Sequence, residues 1–161
     1  MASYRHLARI AVMQTLFSYE FRNEKIAPDL ESNCQEFADK LTDFTFAREL
    51  LQGILDKHVE IRKIISIEAP EWPIDRIAPI DLVILEIGAY EILYSSDVPP
   101  VVAINEAIEI VKVFGDLNSG KFINGVLSTI MNKYRNIDVI RPQAGKKINK
   151  PKKTHDQGAV S

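Results

Sequence analysis

Apolar residues recur at three- and four-residue steps through most of the chain, which is the signature of helices that bury one face. Ser3 is placed to cap a first helix running to about Tyr19, in which Leu7, Ala8, Ile10, Ala11, Val12, Met13, Leu16 and Phe17 leave little polar surface. Asn23 to Leu30 reads as a connector, followed by a short helix near Glu31 to Leu41. A longer helix is predicted from about Asp43 to Ser66, on the stripe Phe44, Ala47, Leu51, Ile54, His58, Ile61 and Ile65. Pro70 and Pro73 flank Trp72 and interrupt helical structure up to about Ala78, marking a seam between two subdomains. Pro79 then opens PIDLVILEIGAYEILY, which is apolar around most of its circumference and is the expected central helix of the second half. Its sparse polar side, Asp81, Glu86 and Glu91, reads as a solvated face.

Two further helices are joined by a polar elbow. One follows Pro99 and Pro100 and carries Val101, Ile104, Ile108 and Val111 on one stripe. The next follows Ser119, a plausible N-cap, with Phe122, Ile123, Val126, Leu127, Ile130, Met131 and Tyr134 at helical spacing. Beyond Tyr134 the pattern dissolves into a Pro-, Gly- and Lys-bearing segment, so residues 136–161 are expected to form a flexible basic tail. The folded unit is then residues 1–135, divided near residues 68 and 69, and it contains no strand pattern: the fold class is all-α.

A chain of 161 residues and 18.2 kDa has room for one domain with a real core. With 46% hydrophobic and 26% charged residues it has the composition of a globular protein. No apolar run reaches the length of a membrane span, and Met1 to Phe21 lacks the unbroken apolar core of a signal peptide, so a cytoplasmic location is expected. Cys34 is the single cysteine, which excludes an internal disulfide and a cysteine zinc cluster. The net charge of −2 conceals an asymmetry. Residues 1–132 hold 12 basic and 20 acidic side chains, whereas residues 133–161 hold 8 and 2. An acidic body does not grip nucleic acid broadly, so RNA would have to be held by a small local patch. The lysines of the tail add sequence-independent attraction at most.

Three features carry candidate chemistry. Gly115, Gly120 and Lys121 fit the first seven positions of the phosphate-binding pattern GxxxxGK[ST], but Phe122 replaces the magnesium-binding hydroxyl and helical sequence precedes it, so nucleotide hydrolysis is excluded. His58 falls on a helical stripe without ligand-spaced companions and reads as a packed histidine with a hydrogen-bond partner; no metal site is expected. Arg5 and Arg9, with His6 beside them, form a basic end on the first helix that should overhang the core. Asn105 and Glu106 have no acid/base partner in the pattern and read as structural residues bonding across helices.

The string VAINEAIEIVKVFG, followed by NSGKFINGVL, resembles the NusB family of bacterial transcription antitermination factors. Ala103 to Ala107, Gly115, Ser119, Lys121, Phe122 and Asn124 to Leu127 carry the match, with support from Asp75, Arg76, Ile84, Leu85, Tyr90, Glu91 and the segment Ala8 to Phe17. The resemblance spans roughly the first 135 residues. It implies a compact bundle of about six to seven helices in two packed subdomains, no catalytic residue and no cofactor. It implies pairing with NusE, the small-subunit ribosomal protein, and joint binding of single-stranded boxA RNA. Other Nus factors and RNA polymerase are the implied company in an elongation complex on ribosomal RNA operons.

Single-stranded RNA is held by stacking its splayed bases on aromatic or guanidinium surfaces while a few cations position the backbone. Arg5, His6 and Arg9 supply the cations; Phe114, Asn118, Ser119, Lys121 and Phe122 supply the elbow. If the start of the first helix lies beside the elbow, as the resemblance implies, these eight residues make one patch. For the protein partner the resemblance points to Phe17, Asp75 and Asp81, of which the two acidic groups suit a basic ribosomal protein. The alternatives are an RNA-binding accessory domain like that of ribosomal RNA cytosine methyltransferases, and a homo-oligomeric interaction module without RNA binding; homodimerisation of the free chain is left open. A short lysine-rich segment after Tyr134, where the methyltransferases continue into a catalytic domain, argues against the first.

Overall fold

The computed structural model describes residues 3–22 and 26–134; the basic segment expected at 136–161 lies outside them. The described residues form seven α-helices and one 3-10 turn, and no strand: α1 (Tyr4–Arg22), α2 (Ile26–Gln35), α3 (Thr45–Asp56), α4 (His58–Glu68), the turn Ile74–Arg76, α5 (Pro79–Tyr94), α6 (Pro100–Phe114) and α7 (Ser119–Tyr134). Among the described residues no helix is long and apolar enough to cross a membrane.

Ser3 caps α1 as its sequence suggests, its hydroxyl accepting the amide of His6 at 3.2 Å. The helix runs three residues past Tyr19. The second helix starts earlier than expected, at Ile26, and absorbs much of the anticipated connector. Pro28 is compatible with that start because a first-turn residue has no intrahelical amide bond to lose. Asn33 then donates to the Thr15 hydroxyl at 2.9 Å, fastening α2 to α1.

The single long helix expected from Asp43 to Ser66 is two helices. Lys57 leaves helical geometry at φ −108°, ψ 12°, but its amide still bonds Gly53 O and its carbonyl still receives Ile61 N. The hydrophobic stripe therefore continues across the bend, which is why periodicity alone does not reveal it. Gly53 has a definite reason to be glycine. A Cβ there would lie 2.0 Å from the Tyr90 hydroxyl oxygen, so the end of the Tyr90 ring of α5 rests on the α3 backbone where any side chain would stand.

Helix α5 is the axis of the bundle and packs against α1, α3, α4, α6 and α7. Twelve of its sixteen residues are buried, so it has no solvent stripe. The solvated face expected for Asp81, Glu86 and Glu91 is consequently absent: all three are buried. Each is met by a partner from another helix, as burial of a carboxylate requires. Glu91 receives Arg9 of α1, Glu86 receives Arg62 of α4, and Asp81 receives Ser119 of α7. Prolines at the first position of α5 and α6 fix where these two helices begin.

Candidate nucleic-acid interface

The elbow between α6 and α7 is shaped by Gly115 and Ser119. Gly115 ends α6 in extended backbone (φ −101°), so its requirement is space: a Cβ would meet Val111 Cγ2 at 2.5 Å. Ser119 is the first residue of α7 rather than its cap. Its hydroxyl accepts the Asp116 amide at 3.0 Å and donates to Asp81 Oδ2 at 2.9 Å, which ties the elbow to the start of α5. Burial pushes the Asp81 carboxyl above its ordinary value, the Ser119 hydrogen bond pulls it back, and Asp116 adds to the rise. Asp81 Oδ1 is buried without a partner among the described residues.

Two cavities flank this tie. The larger, about 670 Å³, is an apolar groove between α1, α2 and the beginning of α5, walled by Met13, Phe17, Ile80 and Phe114 and edged by Asn33 and Glu36. Gln14 also lines it, and its carbonyl oxygen is buried with no partner among the described residues. The smaller, about 270 Å³, lies on the other side of the α5 N-terminus. Trp72 and Phe122 form a corner there, rings edge to face with centroids 6.2 Å apart, and Asp81, Arg76, Asn118 and Ser119 complete the lining. Lys121 is exposed one residue before Phe122.

The basic end of α1 is built differently from the sequence expectation. Arg9 is only 3% exposed and does not overhang the core. Its Nε and Nη2 donate to the two Glu91 oxygens at 2.7 and 2.8 Å, and its Nη1 lies 3.5 Å from Glu106 Oε2. Because α5 buries Glu91, a cation has to follow it inside, and Arg9 is that cation. His6 Nδ1 is 2.6 Å from the same Glu106 oxygen, so Glu106 does bond across helices as expected. Arg5 pairs with Asp97 at 3.1 Å and stacks over the Phe46 ring at 4.6 Å. Of the three cations only Arg5 is in an exposed pair, the kind that exchanges partners at little cost.

The expected single patch is thus split. His6 and Arg9 meet α6 at Glu106, eight residues before Phe114, or about 12 Å along the helix axis. Phe114 instead faces the C-terminal half of α1, beside Phe17, in the apolar groove. Asn118, Ser119 and Phe122 gather around Asp81, which lies in the smaller cavity and not on an open acidic surface. Asp75 is exposed in the 3-10 turn next to Arg76. Trp72 and Arg76 line the smaller cavity, and sequence reasoning did not count them among the candidate site residues. An exposed tryptophan between two prolines was the available signal, since large aromatics on the surface mark binding sites.

The family model described as the NusB family matches residues 6–132. The chain belongs to the NusB family. A transcription antitermination protein NusB from Oceanobacillus iheyensis is 41% identical over 127 residues, covering 79% of this chain and 98% of that protein. The solved NusB of T. maritima is 36% identical with a TM-score of 0.73, over 83% of this chain and 94% of that one. A solved structure of antitermination factors NusB and NusE in complex with dsRNA matches at 27% identity and TM-score 0.73, over 83% of this chain and all of its counterpart.

One group outside this interface has metal-like spacing among the described residues. Glu20, His58 and Glu86 place ligand atoms within 4.8 Å of one another. The Arg62 guanidinium binds both carboxylates and already supplies the compensating charge. His58 is half-exposed and its Nε2 is 3.8 Å from Glu86, too long for the hydrogen bond expected of it. Burial and Arg62 hold its pKa below the usual value, whereas burial pushes Glu86 up to about 7.

Proposed function

We propose that the chain is a cytoplasmic, non-catalytic transcription antitermination factor that binds boxA-type single-stranded RNA together with the ribosomal protein NusE. The observation that carries this reading is the pair of cavities on either side of the α5 N-terminus. An apolar groove suits a protein segment, and an aromatic corner lined by Arg76 and Asn118, with the exposed Lys121 preceding Phe122 in the chain, suits nucleic acid. One ternary complex can therefore form without either ligand displacing the other. The family relationship points the same way, because its members are antitermination factors and one relative is solved with NusE and RNA.

In this reading the protein partner seats on Phe17, Ile80 and Phe114, with Glu36 and Asp75 steering a basic surface towards the groove. RNA runs over the elbow, touching Asn118, Lys121 and Phe122, and reaches Arg5 at the edge of α1. Arg9, His6 and Ser119 act as positioning residues: they hold Glu91, Glu106 and Asp81 in place. Residues 1–135 serve as the binding unit, in two packed helical subdomains. Other Nus factors and RNA polymerase then join the complex, which supports processive elongation of ribosomal RNA operons. Co-elution of the chain with NusE and labelled boxA RNA in size-exclusion chromatography tests the proposal. A ternary peak that an unlabelled duplex does not displace supports it; RNA eluting apart from the two proteins contradicts it.

A further inference from the structure

Glu20, His58 and Glu86 come from α1, α4 and α5, so no spacing within one helix announces them together, and the expectation of a merely packed His58 does not extend to the folded chain. Each offers a ligand atom, and the three atoms lie within 4.8 Å of one another. Zinc bonds imidazole nitrogen and carboxylate oxygen at about 2.0–2.2 Å, so two ligands of a tetrahedral ion stand roughly 3.3–3.5 Å apart. The 3.8 Å between His58 Nε2 and Glu86 Oε2 is too long for a hydrogen bond and close to that ligand-to-ligand edge. Glu86 is 2% exposed, and among the described residues only its Oε1 is hydrogen-bonded, to Arg62 at 3.1 Å. Its Oε2 faces the imidazole without a hydrogen bond, a costly state for a buried carboxylate. Arg62 also pairs with Glu20, through Oε1. One guanidinium offsets one of two negative charges, so the compensation Arg62 supplies is partial and the cluster has room for a further cation. Glu20 is exposed and His58 half-exposed, which gives an ion a path in from solvent.

We propose that His58 Nε2, Glu86 Oε2 and the Glu20 carboxylate bind one zinc-type divalent ion, with Arg62 as a positioning residue that holds the Oε1 atoms of both carboxylates. A water fills the fourth place of the tetrahedron. One imidazole with two carboxylates selects zinc and its first-row neighbours over magnesium and calcium, which take oxygen ligands. The ion ties α1 and α4 to α5, and because it binds the folded chain it raises stability. None of its ligands lines either cavity beside the α5 N-terminus, so the site is independent of the RNA-binding reading.

The metal-stripped full chain is titrated with zinc chloride at pH 8, above the value of about 7 at which Glu86 ionises. Competition with a chromogenic chelator reads stoichiometry and affinity, and nitrogen-correlated NMR spectra of the histidine rings identify the ligand atom. The chain has three histidines, His6, His58 and His155. The expected result is one ion per chain, a large shift of the His58 Nε2 signal with His6 and His155 unmoved, and a rise in the thermal midpoint. His58→Gln and Glu20→Gln, both at positions open to solvent, should each weaken binding by more than about tenfold, the least that loss of even an outer-shell group brings, and abolish the rise in midpoint. Glu31→Gln, which removes an exposed acid on α2, should bind as the parent does. Excess magnesium should not displace the zinc.

No bound ion, or binding that leaves the His58 ring signals unmoved, overturns the proposal. Unchanged affinity in both His58→Gln and Glu20→Gln places the ion elsewhere, and displacement by magnesium reduces the cluster to unselective acids; either result overturns it as well.

Discussion

Replacing Arg9 separates an RNA contact from a buried structural cation. Arg9 is 3% and Glu91 1% exposed, and two hydrogen bonds of 2.7 and 2.8 Å join them. Arg9→Met keeps most of the side-chain volume but leaves the Glu91 carboxylate buried without its counter-charge. Breaking one side of a buried pair in this way costs about 3–5 kcal/mol. The lost contact with the Phe46 ring, 5.2 Å from the guanidinium, adds on the order of 0.5–1 kcal/mol. Glu106 still has His6 and adds little. Urea denaturation at pH 7 followed by circular dichroism should therefore show Arg9→Met destabilised by about 4–6 kcal/mol. The double variant Arg9→Met/Glu91→Leu should recover most of the loss, because no unpaired charge remains. A single variant within about 0.5 kcal/mol of the parent, the range of an ordinary surface change, whose RNA affinity nevertheless fell tenfold, would refute the buried-pair account and restore Arg9 to the RNA surface.

Gly53→Ala should lose about 1–3 kcal/mol in the same assay by overpacking against Tyr90, although alanine is the better helix former; a gain in stability would deny that the Tyr90 ring is held against Gly53. Glu86 binds its proton more tightly folded than unfolded, since its pKa of about 7 lies above the ordinary 4.5, so its contribution to stability falls as pH rises from about 4.5 through 7. His58, held below its usual value, acts with the opposite sign as pH falls through about 6.5, and Arg62 and Glu20 complete the cluster. Glu86→Gln should accordingly reduce the stability lost between pH 5.5 and pH 8, and an unchanged pH profile would contradict the assigned burial effect. Charge reversal at Glu36 and Asp75 together should slow association with NusE several-fold at low salt with little effect at high salt, measured by stopped-flow mixing; equal rates at low salt would remove these acids from the encounter surface.

Helix starts were legible wherever local chemistry marks them. Ser3, Pro79 and Pro100 each set a boundary within a residue of its observed place. The bend at Lys57 was not legible, because no proline or glycine occupies it and the buried stripe passes through unchanged. The acids of α5 misled for a different reason. Their partners stand 38, 24 and 82 residues away in sequence, so a pattern confined to one helix sees only polar positions on an apolar helix. The elbow residues were recognisable as a group from glycine, amide, lysine and aromatic content. That Phe114 would turn to the α1 groove while Phe122 turned to Trp72 depends on tertiary packing, as does the separation of both from the α1 cations.

An RNA path over the elbow is tested by titrating boxA RNA against the chain with NusE at two salt concentrations, comparing the parent with Lys121→Ala. Lys121 is exposed in the first turn of α7, so removing it should weaken binding and lower the slope of log K against log salt by about one, with stability unchanged. An unchanged affinity and salt slope in a folded Lys121→Ala variant would show that RNA does not pass over this elbow.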